Sequence, residues 1–140
     1  MKNRRAANLL AHAAILSAIG CGLAACSSRT PEAQSADTGA RLFSGSCAAC
    51  HQQNGQGIPG VFPSLVGSPV VQGDPAVLAR WVINGQRPLS MPPGRYPTVM
   101  LQFGWMKDAE AAALFTYLRT HFANHASAVD AASVASARRQ

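Results

Sequence analysis

Two cysteines and a histidine, in the run Cys47-Ala48-Ala49-Cys50-His51, constrain this chain of 140 residues more than any other feature. Leu42, Phe43, Cys47 and Cys50 recur at helical spacing, so the run is predicted to continue a helix beginning near Gly39. Positions i, i+3 and i+4 share one helical face, which places both thiols and the imidazole on the same side. A structural disulfide between the two cysteines is not expected at this separation on a helix. A thioredoxin-type dithiol needs a preceding strand and a βαβ surround, and neither is legible here. Zinc is a further possibility, because Cys47, Cys50, His121 and His125 make a Cys2His2 set. That set requires a gap of about 70 residues between its halves and leaves His51 without a role. His121 and His125 are read instead as exposed residues where the last helix frays.

The same five residues form the C-x-x-C-H pattern of covalent haem attachment, in which two thiols add to the vinyl groups and the adjoining imidazole turns under the iron. Composition makes such a group physically useful. Aromatic residues are only 6% of the chain, and a domain of roughly 90 residues buries a thin core, which a cofactor can complete. The formal charge of +6 is concentrated at the ends, with Lys2, Arg4 and Arg5 at the start and Arg138 and Arg139 near the finish. From Asp37 to Asn124, six cations stand against four carboxylates, a net +2. No basic stripe with interleaved aromatics is present, so nucleic-acid binding is not expected.

Residues 1–25 have a basic start, an apolar stretch and small residues before Cys26, the layout of a cleaved secretory signal peptide. Leu23-Ala24-Ala25-Cys26 resembles the bacterial lipoprotein signal, which implies lipid attachment at Cys26; ordinary cleavage near Ala25 is the alternative. Residues 26–36, rich in Ser, Thr, Pro and Gln, read as a flexible tether. Residues 37–124 form the expected domain, and 125–140, with scattered alanine and serine, a disordered or loosely helical tail.

Asp37 to Asn124 resembles a bacterial class I cytochrome c domain, especially the cytochrome subunits of periplasmic dehydrogenases. Gly39 and Phe43 match that family's first helix, and Leu114-Phe115-Thr116-Tyr117-Leu118 its last. The resemblance implies an all-α fold of about three to five short helices around one covalent haem c, with the first and last helices crossing. Gly39 has no Cβ, so Leu114 and Tyr117 are expected to approach its backbone while Phe43 packs beside them. Pro63-Ser64-Leu65-Val66-Gly67 resembles the proline segment beside the proximal ligand. By that similarity the Pro63 carbonyl accepts a hydrogen bond from His51 Nδ1, which leaves Nε2 for iron.

The second axial ligand implied by the family is a methionine, and Met91, Met100 and Met106 are the candidates. Met100 stands 17 residues before Tyr117, and Phe103-Gly104-Trp105 after it resembles the family's ligand loop. It is the choice here. The family usually places proline after the ligand, a pattern that Met91-Pro92 meets and Met100-Leu101 does not. Met106 lies close to the last helix and reads as core filling. Lys107 occupies a place where relatives tend to have a Ser or Thr helix cap, so Asp108 is expected to cap or to suit the helix dipole. Asp74 to Asn84 reads as a helix capped by Asp74, started by Pro75 and stopped at Gly85, with Val77, Leu78, Trp81 and Val82 on its apolar face. Trp81 is expected near the haem edge, with Arg87 and Tyr96 at the propionates.

With His51 and Met100 both on iron, no coordination site stays open for substrate, and the resemblance implies an electron carrier rather than an enzyme. Its implied partners are a periplasmic or membrane dehydrogenase as donor and an oxidase or another cytochrome as acceptor. The rival reading is a haem enzyme or sensor with a labile sixth ligand.

Overall fold

The computed structural model describes residues 30–91 and 93–140. The proposed leader, Cys21 and Cys26 lie outside the described residues.

Thr30 starts the first helix by accepting a hydrogen bond from the Ala33 N–H, with proline at the first position and Glu32 in the first turn. Helix α1 then runs Pro31–Ser46. The expected tether is therefore wrong from Pro31 onward, and the boundary placed at Asp37 falls inside a helix. Ser, Thr and Pro suggested a linker by composition, but here Thr30 and Pro31 sit at the cap and first position, and Ala33, Gln34 and Ala36 are good helix formers. Cys47 closes α1, and the single turn α2 covers Ala48–His51. A second single turn, α3, covers Pro69–Gln72.

Helix α4, Pro75–Asn84, has the expected ends: Asp74 accepts from the Ala76 N–H at 2.8 Å, and Gly85 stops the helix in a left-handed conformation. Its buried face is Leu78, Ala79, Val82 and Ile83, while Trp81 is half-buried. Helix α5 is Asp108–Thr120. Lys107 takes the N-cap position but has no acceptor to offer, and Glu110 instead reaches back to the Lys107 N–H at 2.9 Å. Asp108 does not cap, since its carboxylate pairs with Arg138 at 2.9 Å.

Helices α1 and α5 pack across each other. A methyl group built on Gly39 would run into the Ala113 carbonyl and come within 2.7 Å of Tyr117 Cβ, so only glycine permits this approach. The neighbour is Ala113 rather than the expected Leu114, which turns inward and is fully buried. Phe43 lies 5.7 Å from the Tyr117 ring and 4.9 Å from Phe122, centroid to centroid.

Within residues 125–140, expected to be disordered or loosely helical, a helix forms and is firmly docked. Helix α6, Ala131–Arg138, packs against α4 and α5 with Val134 and Ala137 buried. Asp130 caps it by accepting from the Ser133 N–H at 2.7 Å. Its apolar stripe is only two residues wide, too narrow to read as amphipathic, and its small side chains let it lie close to its neighbours. The described residues hold six helices, two of them single turns, and no strand. The all-α class is as expected, with one more helix than the expected range because of α6.

Candidate functional site

The end of α1 and the turn of α2 deliver the two thiols and the imidazole together. The Cys47 N–H bonds to the Phe43 carbonyl at 2.9 Å, and the Cys47 carbonyl accepts from both the Cys50 N–H and the His51 N–H, at 3.1 and 2.9 Å. Cys47 and His51 are buried and Cys50 is exposed, and neither cysteine is in a disulfide. Burial, followed by the neighbouring Cys50, pushes the Cys47 thiol up to about 11. Burial also holds His51 below the usual imidazole range, against the opposing pull of its backbone hydrogen bond.

That hydrogen bond joins His51 Nδ1 to the Pro63 carbonyl at 2.9 Å. A carbonyl only accepts, so Nδ1 carries the proton and the Nε2 lone pair remains for a metal. The backbone around Pro63 is held on two sides. The Gly57 N–H bonds to the His51 carbonyl at 2.8 Å and the Leu65 N–H to the Gly55 carbonyl at 2.7 Å. Gly57 has φ +64, and a side chain there would strike the Phe62 and Pro63 carbonyls. From the other side comes Asn124, which is fully buried. Its Oδ1 accepts from the Gly67 N–H at 2.9 Å, and its Nδ2 donates to the Leu65 and Leu118 carbonyls at 3.0 and 2.8 Å.

Asn124 thus pins the proline segment to the end of α5, a role with no signature in a lone asparagine. Asn124→Ala leaves buried backbone groups without partners and is expected to lower the stability of the haem-loaded protein by about 2–4 kcal/mol. Denaturant unfolding followed in the Soret band measures it.

Across from these residues, Trp81 on α4, Arg87, Met91 and residues between Tyr96 and Phe103 form the other side of an open cleft. Thr98 ties this segment to the loop after α2 by donating to the Val61 carbonyl at 2.7 Å. The cleft encloses about 640 Å³, counting its open mouth, and Cys47, Cys50, His51, Pro63, Trp81, Arg87, Met91, Tyr96 and Met100 all line it. An adjoining space of about 520 Å³ shares Cys47, His51, Met91 and Met100 and is floored by Leu78, Val82, Leu114 and Leu118. Every residue singled out for the site is therefore brought to one place. Phe103, from the segment that resembles the family's ligand loop, lines the cleft too, as do Phe62 and Thr98, which lie in loops without a periodic signal.

Both Met91 and Met100 line the cleft, whereas Met106 is 2% exposed and packs in the core. Tyr96 has the Arg95 guanidinium 6.0 Å from its ring centroid. His121 is turned to other work, with Nδ1 3.0 Å from the Tyr117 carbonyl and its ring stacked on Tyr117 at 3.9 Å. Among the described residues no cluster of three or more His, Cys, Asp or Glu side chains is arranged to hold a metal ion. Cys47, Cys50, His121 and His125 therefore do not come together as such a cluster.

Residues 36–122 match the protein family described as Cytochrome c. The chain belongs to the cytochrome c family. It is similar to cytochrome c-552 of Thermus thermophilus, 38% identical over 87 residues, which covers 59% of this chain and 66% of that protein. It is also 32% identical over 101 residues to the cytochrome c subunit of a quinone alcohol dehydrogenase from Gluconobacter oxydans, covering 69% of this chain and 21% of that subunit. A gluconate 2-dehydrogenase cytochrome c subunit from Pantoea cypripedii is 32% identical over 106 residues, with 73% and 24% covered. The chain thus spans less than two thirds of the length of these relatives.

Membership in the cytochrome c family implies one covalently bound haem c with its iron, and the residues present fit it. Two thiols one helical turn apart face a cleft lined mainly by apolar and aromatic side chains, as cofactor sites are. The imidazole beside them is fixed in the tautomer that offers Nε2. Among the described residues no helix is long and apolar enough to cross a membrane.

Proposed function

We propose that this cytochrome c is a one-electron carrier working in a bacterial periplasm, held at a membrane through lipidated Cys26. It receives electrons from a dehydrogenase and passes them toward a respiratory oxidase or another cytochrome. The observation that carries this reading is the convergence of two thiols, one oriented imidazole and a thioether from a separate segment on a single apolar cleft. When bound, haem c supplies a one-electron couple between ferric and ferrous iron.

The chain's own residues do the rest. Cys47 and Cys50 hold the group by thioether bonds. Pro63 holds the His51 ring through Nδ1, so that Nε2 would be the atom offered to the iron. Met100, which lines the cleft, would offer its thioether to the iron, a ligand that favours the ferrous state. Trp81, Arg87 and Tyr96 line the cleft, and the last two would hold the propionates. With His51 and Met100 both given to the iron, no site would stay open to a substrate, and transfer would be outer-sphere. The dehydrogenase donor is supported by relatives named as cytochrome subunits of quinone alcohol and gluconate dehydrogenases. A tether raises the local concentration of the carrier near such a partner without any new contact.

Protein purified from membrane and periplasmic fractions tests the proposal. Mass spectrometry is expected to report one haem and an acylated Cys26, and the spectrum a sharp reduced α-band with a thioether-to-ferric-iron absorption near the red. High-spin iron that binds carbon monoxide readily overturns the carrier reading in favour of the enzyme or sensor.

A further inference from the structure

Helix α6 does more than cover α4 and α5. Its last residue, Arg138, spreads its guanidinium over the turn that follows Met100. Nη1 donates to the Gly104 carbonyl at 2.8 Å, Nη2 to the Met106 carbonyl at 2.6 Å, and Nε to the Asp108 carboxylate at 2.9 Å. One planar fork therefore bridges the turn and the start of α5, which a lysine ammonium has no geometry to do.

Arg138 is itself held in place. Its carbonyl accepts from Asn84 Nδ2 at 3.2 Å, and Val134 and Ala137 are buried on the same helix. The turn it grips is short, with the Met106 N–H bonded to the Phe103 carbonyl at 3.1 Å and the Phe103 N–H anchored to the Val82 carbonyl at 2.9 Å. Met100 is three residues upstream of Phe103, so a fixed Phe103 confines the Met100 Cα to within roughly 10 Å. On the upstream side the nearest side-chain tie is Thr98 to the Val61 carbonyl. Met100 thus sits on a short loop, 98 to 103, whose downstream end is locked by α4 beneath and by α6 from outside.

The geometry points to Arg138 as a positioning residue for the second axial ligand: the C-terminal helix straps the Met100 loop and keeps its thioether over the cleft. This rests on Met100 being that ligand. Without the fork the 103–106 turn opens locally more often, and each opening releases the thioether, while the thioether bonds of Cys47 and Cys50 keep the haem in place. A loop that opens exposes the iron to competing small ligands.

The test uses the full-length, haem-loaded protein with Arg138→Ala, Arg138→Lys, Val129→Ala and Met100→Ala. Val129 is a buried residue outside the turn, and its truncation serves as a control for simple loss of stability. Apparent affinity of the ferrous protein for carbon monoxide is expected to rise about tenfold in Arg138→Ala, with a weaker thioether-to-iron band and unchanged haem content. Lysine should restore the charge but not the band. Val129→Ala should lower the unfolding midpoint and leave carbon monoxide affinity as it was. If Arg138→Ala and Arg138→Lys behave like Val129→Ala, the strap is overturned while the ligand assignment stands. If Met100→Ala keeps the wild-type band, the ligand assignment fails first, and the strap with it.

Discussion

Exported Cys47→Ser/Cys50→Ser protein is expected to carry no covalent haem and to lose its cooperative fold. A serine hydroxyl does not add to a vinyl group as a thiol does, so acid extraction should strip all colour from the polypeptide and mass spectrometry should show the bare chain. The loss of structure follows from the cleft. Leu78, Val82, Leu114 and Leu118 floor it, and each is worth about 1.5–3 kcal/mol of burial only while an apolar partner covers it. Few large side chains are available to collapse inward, since aromatics are 6% of the chain. Far-ultraviolet circular dichroism with a thermal melt measures the second effect. A variant that stays coloured after acid extraction would contradict the attachment site itself.

Met100→Ala is expected to leave the haem attached but to abolish the thioether-to-ferric-iron band, turn the iron partly high-spin and lower the midpoint potential. Axial ligation commands a span of about 0.8 V across haem proteins, so this change should exceed that of any other single substitution proposed for the cleft. Met91→Ala is the informative companion, because Met91 also lines both parts of the cleft. Redox titration of the two variants separates the candidates. A normal band in Met100→Ala with a lost band in Met91→Ala would move the ligand to Met91 and favour the methionine that proline follows.

The attachment run shows why part of the site could be read without coordinates. Cys47, Cys50 and His51 are adjacent in sequence, and helical periodicity alone puts them on one face. Asp74, Pro75 and Gly85 likewise announce α4, because caps act through bonds to backbone groups a few residues away. The carbonyl of Pro63 was reached through family resemblance, and its 2.9 Å bond to His51 bears that out. The firm docking of α6, whose segment reads as disordered or loosely helical, and the early start of α1 are illegible in the sequence for opposite reasons. Composition at 26–36 suggested a linker where Thr30 and Pro31 in fact start a helix. The alanine- and serine-rich end lacked a wide apolar stripe, and its docking depends on a groove supplied by α4 and α5.

What the sequence determined by itself was a covalent haem site and an all-α fold, together with the candidate ligands, His51 beside the two thiols and three methionines. All of these reside in local spacing, residue type or family pattern. The tertiary structure alone decided that Asn124 pins the proline segment, that Met106 belongs to the core while Met91 and Met100 reach the cleft, and that Arg138 grips the turn after Met100. Those contacts join residues 30 or more positions apart, and which partners meet at such range is set by how helices pack, a property that no short window of sequence contains.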